Sequence, residues 1–185
     1  MRKILYTTEQ INEIVKRLGK QFTEKFKDEE LPPVFIGVLK GAMPFMMDLV
    51  REIDCPLIMD FIQVKSYIGT ESTGVITLKK DISEDIKNRS VVIVEDIADS
   101  GYTLVWLKNY LLKTYKPKAL YTCALLDKKC KRKVPFDVDY VGDEIGDYFI
   151  VGYGLDYDEI GRNVKEIFVP DLEEQQILHE IAHRK

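Results

Sequence analysis

Cysteine is scarce in this chain and wrongly spaced for disulfide or metal chemistry. Cys55, Cys123 and Cys130 are odd in number and no two stand in C-x-x-C spacing, which argues against a disulfide framework or a zinc knot. Cys55 and Cys123 read as small core fillers and Cys130 as a residue of a polar loop. No apolar run is long enough to span a membrane. The first residues, Met1-Arg2-Lys3-Ile4-Leu5-Tyr6, lead into a polar helix rather than an apolar signal core, so a cytoplasmic location without a membrane partner is the expectation. Positive charge is also in deficit. With 27 basic against 31 acidic residues the net charge is −4, and no global basic field recruits nucleic acid. Neither G-x-G-x-x-G nor G-x-x-x-x-G-K-[ST] follows a predicted strand, which sets aside dinucleotide and P-loop readings. Internal repeats, linkers and low-complexity segments are missing too. What remains is a chain of 185 residues, 45% hydrophobic and 31% charged, expected to form a single domain over residues 1–185 with a sizeable core.

Periodicity then orders the elements. Thr7 and Gln10 have the spacing of a capping box, and Ile11, Ile14, Val15, Leu18, Phe22 and Phe26 recur at helical intervals until Leu31-Pro32-Pro33. Val34 to Leu39 reads as a buried strand ending at Lys40-Gly41-Ala42, and a Met-rich helix follows to about Arg51. Cys55-Pro56 opens a strand to about Val64; Lys65 to Val75 is glycine- and hydroxyl-rich and reads as a loop, with Val75 to Lys79 as its returning arm. Lys118 to Leu126 is a further strand, Asp127 to Pro135 a polar loop, and short strands are predicted at Tyr140-Val141, Phe149 to Val151 and Glu166 to Val169. Pro170-Asp171 starts a final helix. Strands alternate with helices and the strongest strands are apolar on both faces, so the fold class is α/β with a mostly parallel central sheet flanked by helices. Ligands of such sheets sit beyond the carboxyl ends of the strands, where Lys40-Gly41, Glu95-Asp96 and Asp127-Lys128 all fall.

The most informative stretch is Val91-Val92-Ile93-Val94-Glu95-Asp96-Ile97-Ala98-Asp99-Ser100-Gly101-Tyr102-Thr103-Leu104. A wholly apolar strand delivers two adjacent carboxylates, then a turn at Asp99-Ser100-Gly101, then a helix that Thr103 can cap ahead of Leu104, Leu107 and Leu111. Backbone N–H groups at a helix start attract phosphate, while the neighbouring carboxylates repel it. Both features suit a ligand with a phosphate at one end and hydroxyls or a metal ion at the other, which describes a phosphorylated sugar.

This segment resembles the phosphoribosyl diphosphate (PRPP) signature of the type I phosphoribosyltransferases. Leu39-Lys40-Gly41, Lys65-Ser66-Tyr67, Leu125 through Lys128, and Asp147 through Asp156 with Arg162 narrow the resemblance to the hypoxanthine-guanine phosphoribosyltransferases, in order and over nearly the whole chain. The resemblance implies the type I fold, with a small hood and a mobile active-site loop. It also implies transfer of a phosphoribosyl group from PRPP to hypoxanthine or guanine, giving IMP or GMP and diphosphate, with Mg2+ as cofactor and a homodimer or homotetramer as the assembly. On this basis Asp99 is the general base taking the purine N7 proton, a role that suits a carboxylate. Ser100, Gly101, Tyr102 and Thr103 cradle the 5′-phosphate, and Glu95 and Asp96 face the ribose hydroxyls and magnesium. Lys40, the Gly41 N–H and Arg162 take diphosphate. Lys128 bonds the exocyclic O6, Phe149 stacks on the purine, the Ile150 backbone reads the ring edge, and Asp156 serves a second magnesium near the guanine amino group. Ser66 and Tyr67 belong to the lid. In the resembled family the peptide between Leu39 and Lys40 is often cis. Ala98 and Ser100 depart from the family pattern, which has a larger branched residue and a threonine at those places; serine keeps the hydroxyl.

Each assignment has a plainer counterpart. Asp99 also suits a turn-forming residue, Lys40 an exposed strand end, and Phe149 a core aromatic. Lys128 opens a basic run with Lys129, Lys131, Arg132 and Lys133, of which only Lys128 is assigned to the pocket and the rest to surface. His179-Glu180-Ile181-Ala182-His183 matches the zinc-protease motif H-E-x-x-H, but its histidine face is expected to meet solvent, and no third ligand follows downstream. The rivals in function are a xanthine-preferring transferase on the same fold and a non-catalytic nucleotide- or RNA-binding regulator.

Overall fold

The computed structural model describes residues 2–67 and 75–183. The elements, in chain order, are β1 (Lys3–Tyr6), α1 (Thr8–Phe26), β2 (Val34–Leu39), α2 (Met43–Arg51), β3 (Ile58–Tyr67), β4 (Val75–Lys80), β5 (Ser90–Ala98), α3 (Tyr102–Tyr115), β6 (Ala119–Asp127), β7 (Tyr140–Glu144), β8 (Ile167–Val169) and α4 (Leu172–Ala182). Six strands form one sheet in the order β4-β3-β2-β5-β6-β7. Only β4 is antiparallel to its neighbour; β3, β2, β5, β6 and β7 run the same way, so their carboxyl ends share one rim. A second small sheet pairs β1 with β8, and Val151 joins it by a bridge to Phe168; this is the hood.

The central strands are apolar throughout because both faces of the sheet are covered. Alternate residues serve opposite cores. Val34, Ile36 and Val38 of β2 and Val91 and Ile93 of β5 pack towards Leu104, Leu107 and Leu111 of α3. Phe35, Val92, Val94, Cys123 and Leu125 pack on the other face, against Ile11, Val15, Leu18, Phe22 and Phe26 of α1 and Phe45, Met46 and Leu49 of α2. The start of α1 is fixed by the expected capping box: Thr7 Oγ1 accepts from the Gln10 N–H at 3.3 Å, and Gln10 Oε1 from the Thr7 N–H at 2.9 Å. Asp171 and Glu174 cap α4 in the same reciprocal way. Among the described residues no helix is long and apolar enough to cross a membrane.

Four expectations need correction. The start of the chain is a strand before it is a helix: β1 closes the hood by pairing with β8, an association between segments over 160 residues apart that no local pattern announces. The strand predicted from Cys55 to Val64 runs from Ile58 to Tyr67, because its outer half is held by β4 rather than by its own apolar content. Residues 149–151 form no strand beyond the single bridge at Val151. Finally, Thr103 does not cap α3. Gly101 occupies the cap position in a left-handed conformation and Thr103 lies within the first turn. Of the predicted lid, Ser66 and Tyr67 have a described backbone, paired with Ile76 and Val75; their side chains and residues 68–74 lie outside the described residues.

Candidate active site

The turn after β5 is shaped by one glycine. Gly101 has φ +88°, and a Cβ there would meet Arg132 Cδ and Val134 Cγ2, each at 2.9 Å. Gly101 offers α3 no capping side chain; the Tyr102 N–H meets the Ser100 hydroxyl at 3.5 Å, and this helix start lines a cleft of about 310 Å3 with Glu95, Ile97, Ala98, Asp99, Ser100, Gly101, Thr103 and Leu104. The Asp99 side chain is exposed and, among the described residues, makes no hydrogen bond or ion pair. Its backbone is braced: Arg132 Nη1 donates to the Asp99 carbonyl at 2.8 Å, the Lys133 N–H to the Ser100 carbonyl at 3.0 Å, and the Lys128 N–H to the Ala98 carbonyl at 2.9 Å.

Glu95 and Asp96 lie within β5 rather than beyond its end. Asp96 is buried, and Glu95 Oε2 is enclosed without a protein partner. Burial pushes the Glu95 carboxyl well above the usual carboxylate range, with the Asp96 charge adding to it. Burial also raises the Asp96 carboxyl, against hydrogen bonds from Glu95 and the Ile97 N–H and the nearby Arg162 charge. Two adjacent carboxyls that cannot both ionise freely, one with an orphaned oxygen, match the oxygen-rich donor set of a hard divalent cation.

Asp96 also ties this strand to its neighbours. A Cβ on Gly41 would lie 1.8 Å from Asp96 Oδ2, and one on Gly154 (φ +99°) would lie 2.0 Å from the Gly41 carbonyl. Three distant segments therefore meet here with no room for a methyl group. The Leu39–Lys40 peptide beside them is cis. Arg162 is held by the Gly154 carbonyl at 2.8 Å and by Asp156 Oδ1 at 2.9 Å. Asp156 Oδ2 accepts the Glu159 N–H at 2.9 Å, so both its oxygens are engaged within the loop. The Glu159 carboxylate reaches Lys40 Nζ at 2.9 Å and Arg162 Nη2 at 3.2 Å. Hydrogen bonding from Lys40, then from Arg162, outweighs desolvation and lowers the Glu159 carboxyl below its ordinary value. Lys40, Arg162 and Glu159 line an open cleft of about 820 Å3 together with Leu39, Gln63, Val64, Lys65 and Lys79.

On the other side of the Asp99 turn, Lys128 is buried, and among the described residues no carboxylate pairs with it. Asp127 is fully buried and bound by Arg132 Nη2, whose side chain is only 12% exposed. Arg132 is therefore not the surface residue that its basic run suggests: it bridges Asp127 to the Asp99 turn. Asp147 pairs with Lys131 at 2.7 Å and its carboxyl is lowered by that bond, with Lys128 contributing charge. Phe149 is not a core aromatic; it is 49% exposed and stands edge-on to Tyr157 with centroids 5.6 Å apart. Ile150 is buried.

The structure thus gathers Glu95, Asp96, Asp99 to Thr103, Lys40, Gly41, Asp156 and Arg162 at the rim, with Lys128 beside the same turn. Glu159 and Lys79 carry no signal in the sequence, Lys65 and Gly154 fall inside the motifs of the resemblance without a role of their own, and Arg132 reads there as surface.

A sequence model of the phosphoribosyl transferase domain matches residues 1–158. The hypoxanthine-guanine phosphoribosyltransferase of Aquifex aeolicus is 46% identical over 168 residues, covering 90% of this chain and 93% of its own. The enzyme of that name from Bacillus subtilis is 44% identical over 170 residues, covering 91% and 93%. A crystal structure of a hypoxanthine phosphoribosyltransferase from Staphylococcus aureus superposes with a TM-score of 0.86 at 43% identity, covering 92% of both chains. The expected type I fold and the resemblance both hold: this chain belongs to the phosphoribosyl transferase family, among its hypoxanthine-guanine phosphoribosyltransferases.

Proposed function

We propose that the protein transfers the 5-phosphoribosyl group of PRPP to hypoxanthine or guanine, giving IMP or GMP and releasing diphosphate, a purine-salvage reaction. The observation that carries this reading is the meeting of two anion-binding ends across the Gly41–Asp96 contact. A helix-start turn lies on one side and a cleft carrying Lys40 and Arg162 on the other, with a carboxyl pair between them. The spacing of chemistry suits a sugar with a phosphate at one end and diphosphate at the other.

In this reading the N–H groups and hydroxyls of Ser100, Gly101, Tyr102 and Thr103 hold the 5′-phosphate at the start of α3. Glu95 and Asp96 face the ribose hydroxyls; they and Asp156 are the residues that would hold Mg2+. When bound, the metal neutralises diphosphate and so makes it a better leaving group. Lys40, the Gly41 N–H and Arg162 bind diphosphate, for which the Glu159 carboxylate must give way. The C1′–oxygen bond to diphosphate breaks as the purine N9–C1′ bond forms, and the N7 proton passes to the unpaired Asp99 carboxylate. The carboxylates beside the ribose stabilise positive charge developing on the sugar. Lys128 donates to the purine O6, which favours an oxopurine over adenine. Phe149 offers an exposed ring for stacking and the Ile150 backbone reads the ring edge. Ser66 and Tyr67, at the base of residues 68–74, belong to a lid that closes over the reaction and excludes water. Residues 1–185 act as one domain, in the cytoplasm, and a homodimer or homotetramer is the assembly; sedimentation velocity tests the latter.

A panel with PRPP, Mg2+ and each of hypoxanthine, guanine, xanthine and adenine tests the reaction. Nucleotide formation with hypoxanthine and guanine is expected. Turnover with xanthine above both would move the protein to the shifted-specificity reading. PRPP binding without turnover on any base would overturn the enzyme reading in favour of a regulator.

A further inference from the structure

The folded chain brings a third ligand, from upstream, to the two histidines of the H-E-x-x-H run of α4. Asp158, His179 and His183 each offer a ligand atom, and these atoms lie within 4.8 Å of one another, all three residues exposed. The two rings stand 4.2 Å apart on one face of the helix, four residues apart. Asp158 Oδ2 is 3.8 Å from His179 Nδ1. The tight turn that presents Asp158 is closed by reciprocal hydrogen bonds of 2.9 Å between Tyr157 and Ile160, which fix the backbone that carries the carboxylate. His183 Nδ1 lies 2.9 Å from the His179 carbonyl. A carbonyl only accepts, so that bond places the proton on Nδ1 and leaves the Nε2 lone pair for a metal, the orienting contact that metal-bound histidines use.

We propose that Asp158, His179 and His183 form a surface site for a Zn2+-type transition-metal ion, which fastens α4 to the loop of residues 156–162. Two imidazoles and one carboxylate favour zinc, nickel or copper over magnesium, so the site does not compete with the hard-cation donors at Glu95 and Asp96. Three protein ligands leave a position for water. The motif's glutamate does not act as a hydrolytic base: Glu180 Oε1 accepts from Gln176 Nε2 at 3.3 Å along the helix, and the three ligands stand on open surface. The cluster whose ligand atoms lie within 4.8 Å of one another is made of Asp158, His179 and His183, and Asp156 is not part of it. The consequence is mechanical. The loop that holds Arg162, Asp156 and Glu159 gains a second anchor, in addition to the edge contact between Tyr157 and His179 at 6.4 Å.

The test uses the full chain in excess Mg2+, with Cys130→Ser in every arm so that this exposed thiol offers zinc no competing ligand. Zn2+ is titrated against a chromophoric chelator, Co2+ is followed by its visible absorption, and thermal unfolding is recorded with and without Zn2+. The expected result is one Zn2+ per chain, an intense visible Co2+ band, and a rise in Tm on adding Zn2+. His179→Ala and His183→Ala should each weaken Zn2+ binding by at least about tenfold, since loss even of an orienting partner costs that much. Asp158→Asn, which leaves α4 untouched, should weaken binding and remove the Tm rise. Zn2+ binding of unchanged affinity in the histidine variants or in Asp158→Asn, or no saturable binding by the parent chain, would overturn the proposal.

Discussion

Glu159 lies between Lys40 and Arg162, so two cations that the proposed reaction needs for diphosphate are held by a carboxylate of the same chain. Both Lys40 and Glu159 are more than half exposed, and pairs of that kind contribute about 0.2–1 kcal/mol each. Removing the charge should therefore help the incoming anion by a similar amount. Glu159→Gln is expected to tighten PRPP binding, measured calorimetrically at low ionic strength, by up to about fivefold. Weaker PRPP binding would show that Glu159 orients the cations rather than competing for them. Residue type alone did not distinguish Arg132 from its basic neighbours. Its burial against Asp127 and its bond to the Asp99 carbonyl are properties of the folded loop, whereas Asp99, Lys40 and Gly41 were legible because they fall at the ends of strongly apolar strands.

At the scale of elements, the outer hairpin of β3 and β4 depends on a single buried carboxylate. Asp60 Oδ1 accepts the Phe61 N–H at 2.7 Å, and Oδ2 accepts the N–H groups of Ser83 and Glu84 at 2.6 and 2.8 Å. Desolvation works to raise the Asp60 carboxyl, but these three N–H bonds and Lys80 outweigh it, and the net shift is downward. A carboxyl lowered on folding stabilises the native state above its unfolded value of about 4, and that contribution is lost as pH falls through the lowered native value. Asp60→Asn should cost about 1–3 kcal/mol at neutral pH, because the amide leaves buried N–H groups poorly satisfied. Urea unfolding at neutral pH and at about pH 3 checks this: the gap between variant and parent should narrow in acid. A gap independent of pH would contradict the linkage. Elements with a strong period, such as α1 and β5, were legible before folding. β1 was not, because its four residues gain their structure only from β8, and residues 149–166 carry no period at all.

Across the whole molecule, the rim is assembled by contacts between segments far apart in sequence. Gly41, Asp96 and Gly154 come from three such segments and leave no space for a methyl group. Gly154→Ala forces a Cβ to within 2.0 Å of the Gly41 carbonyl at a φ of +99°. We expect this variant to keep the far-UV circular dichroism of the parent while kcat/KM for PRPP falls about tenfold or more, the scale set by misplacement of binding groups by about an ångström. Unchanged kcat/KM would mean that the 153–162 loop does not position diphosphate. The parallel sheet and its candidate rim were readable from alternation of apolar runs and turns. The closeness of Asp158 to the α4 histidines, like that of Glu159 to Lys40, was not, because each depends on how one irregular loop folds back over the sheet.

Base-dependent release of diphosphate from PRPP, measured in parallel for the parent chain and for Asp99→Asn, tests the proposed reaction most directly. Release is expected only when hypoxanthine or guanine is present, with a fall in kcat of roughly 10²–10⁴ in the variant and PRPP affinity retained, as befits loss of a general base. Release that is indifferent to the purine, or equal turnover in the two proteins, would contradict the role of Asp99 and the transfer to a purine.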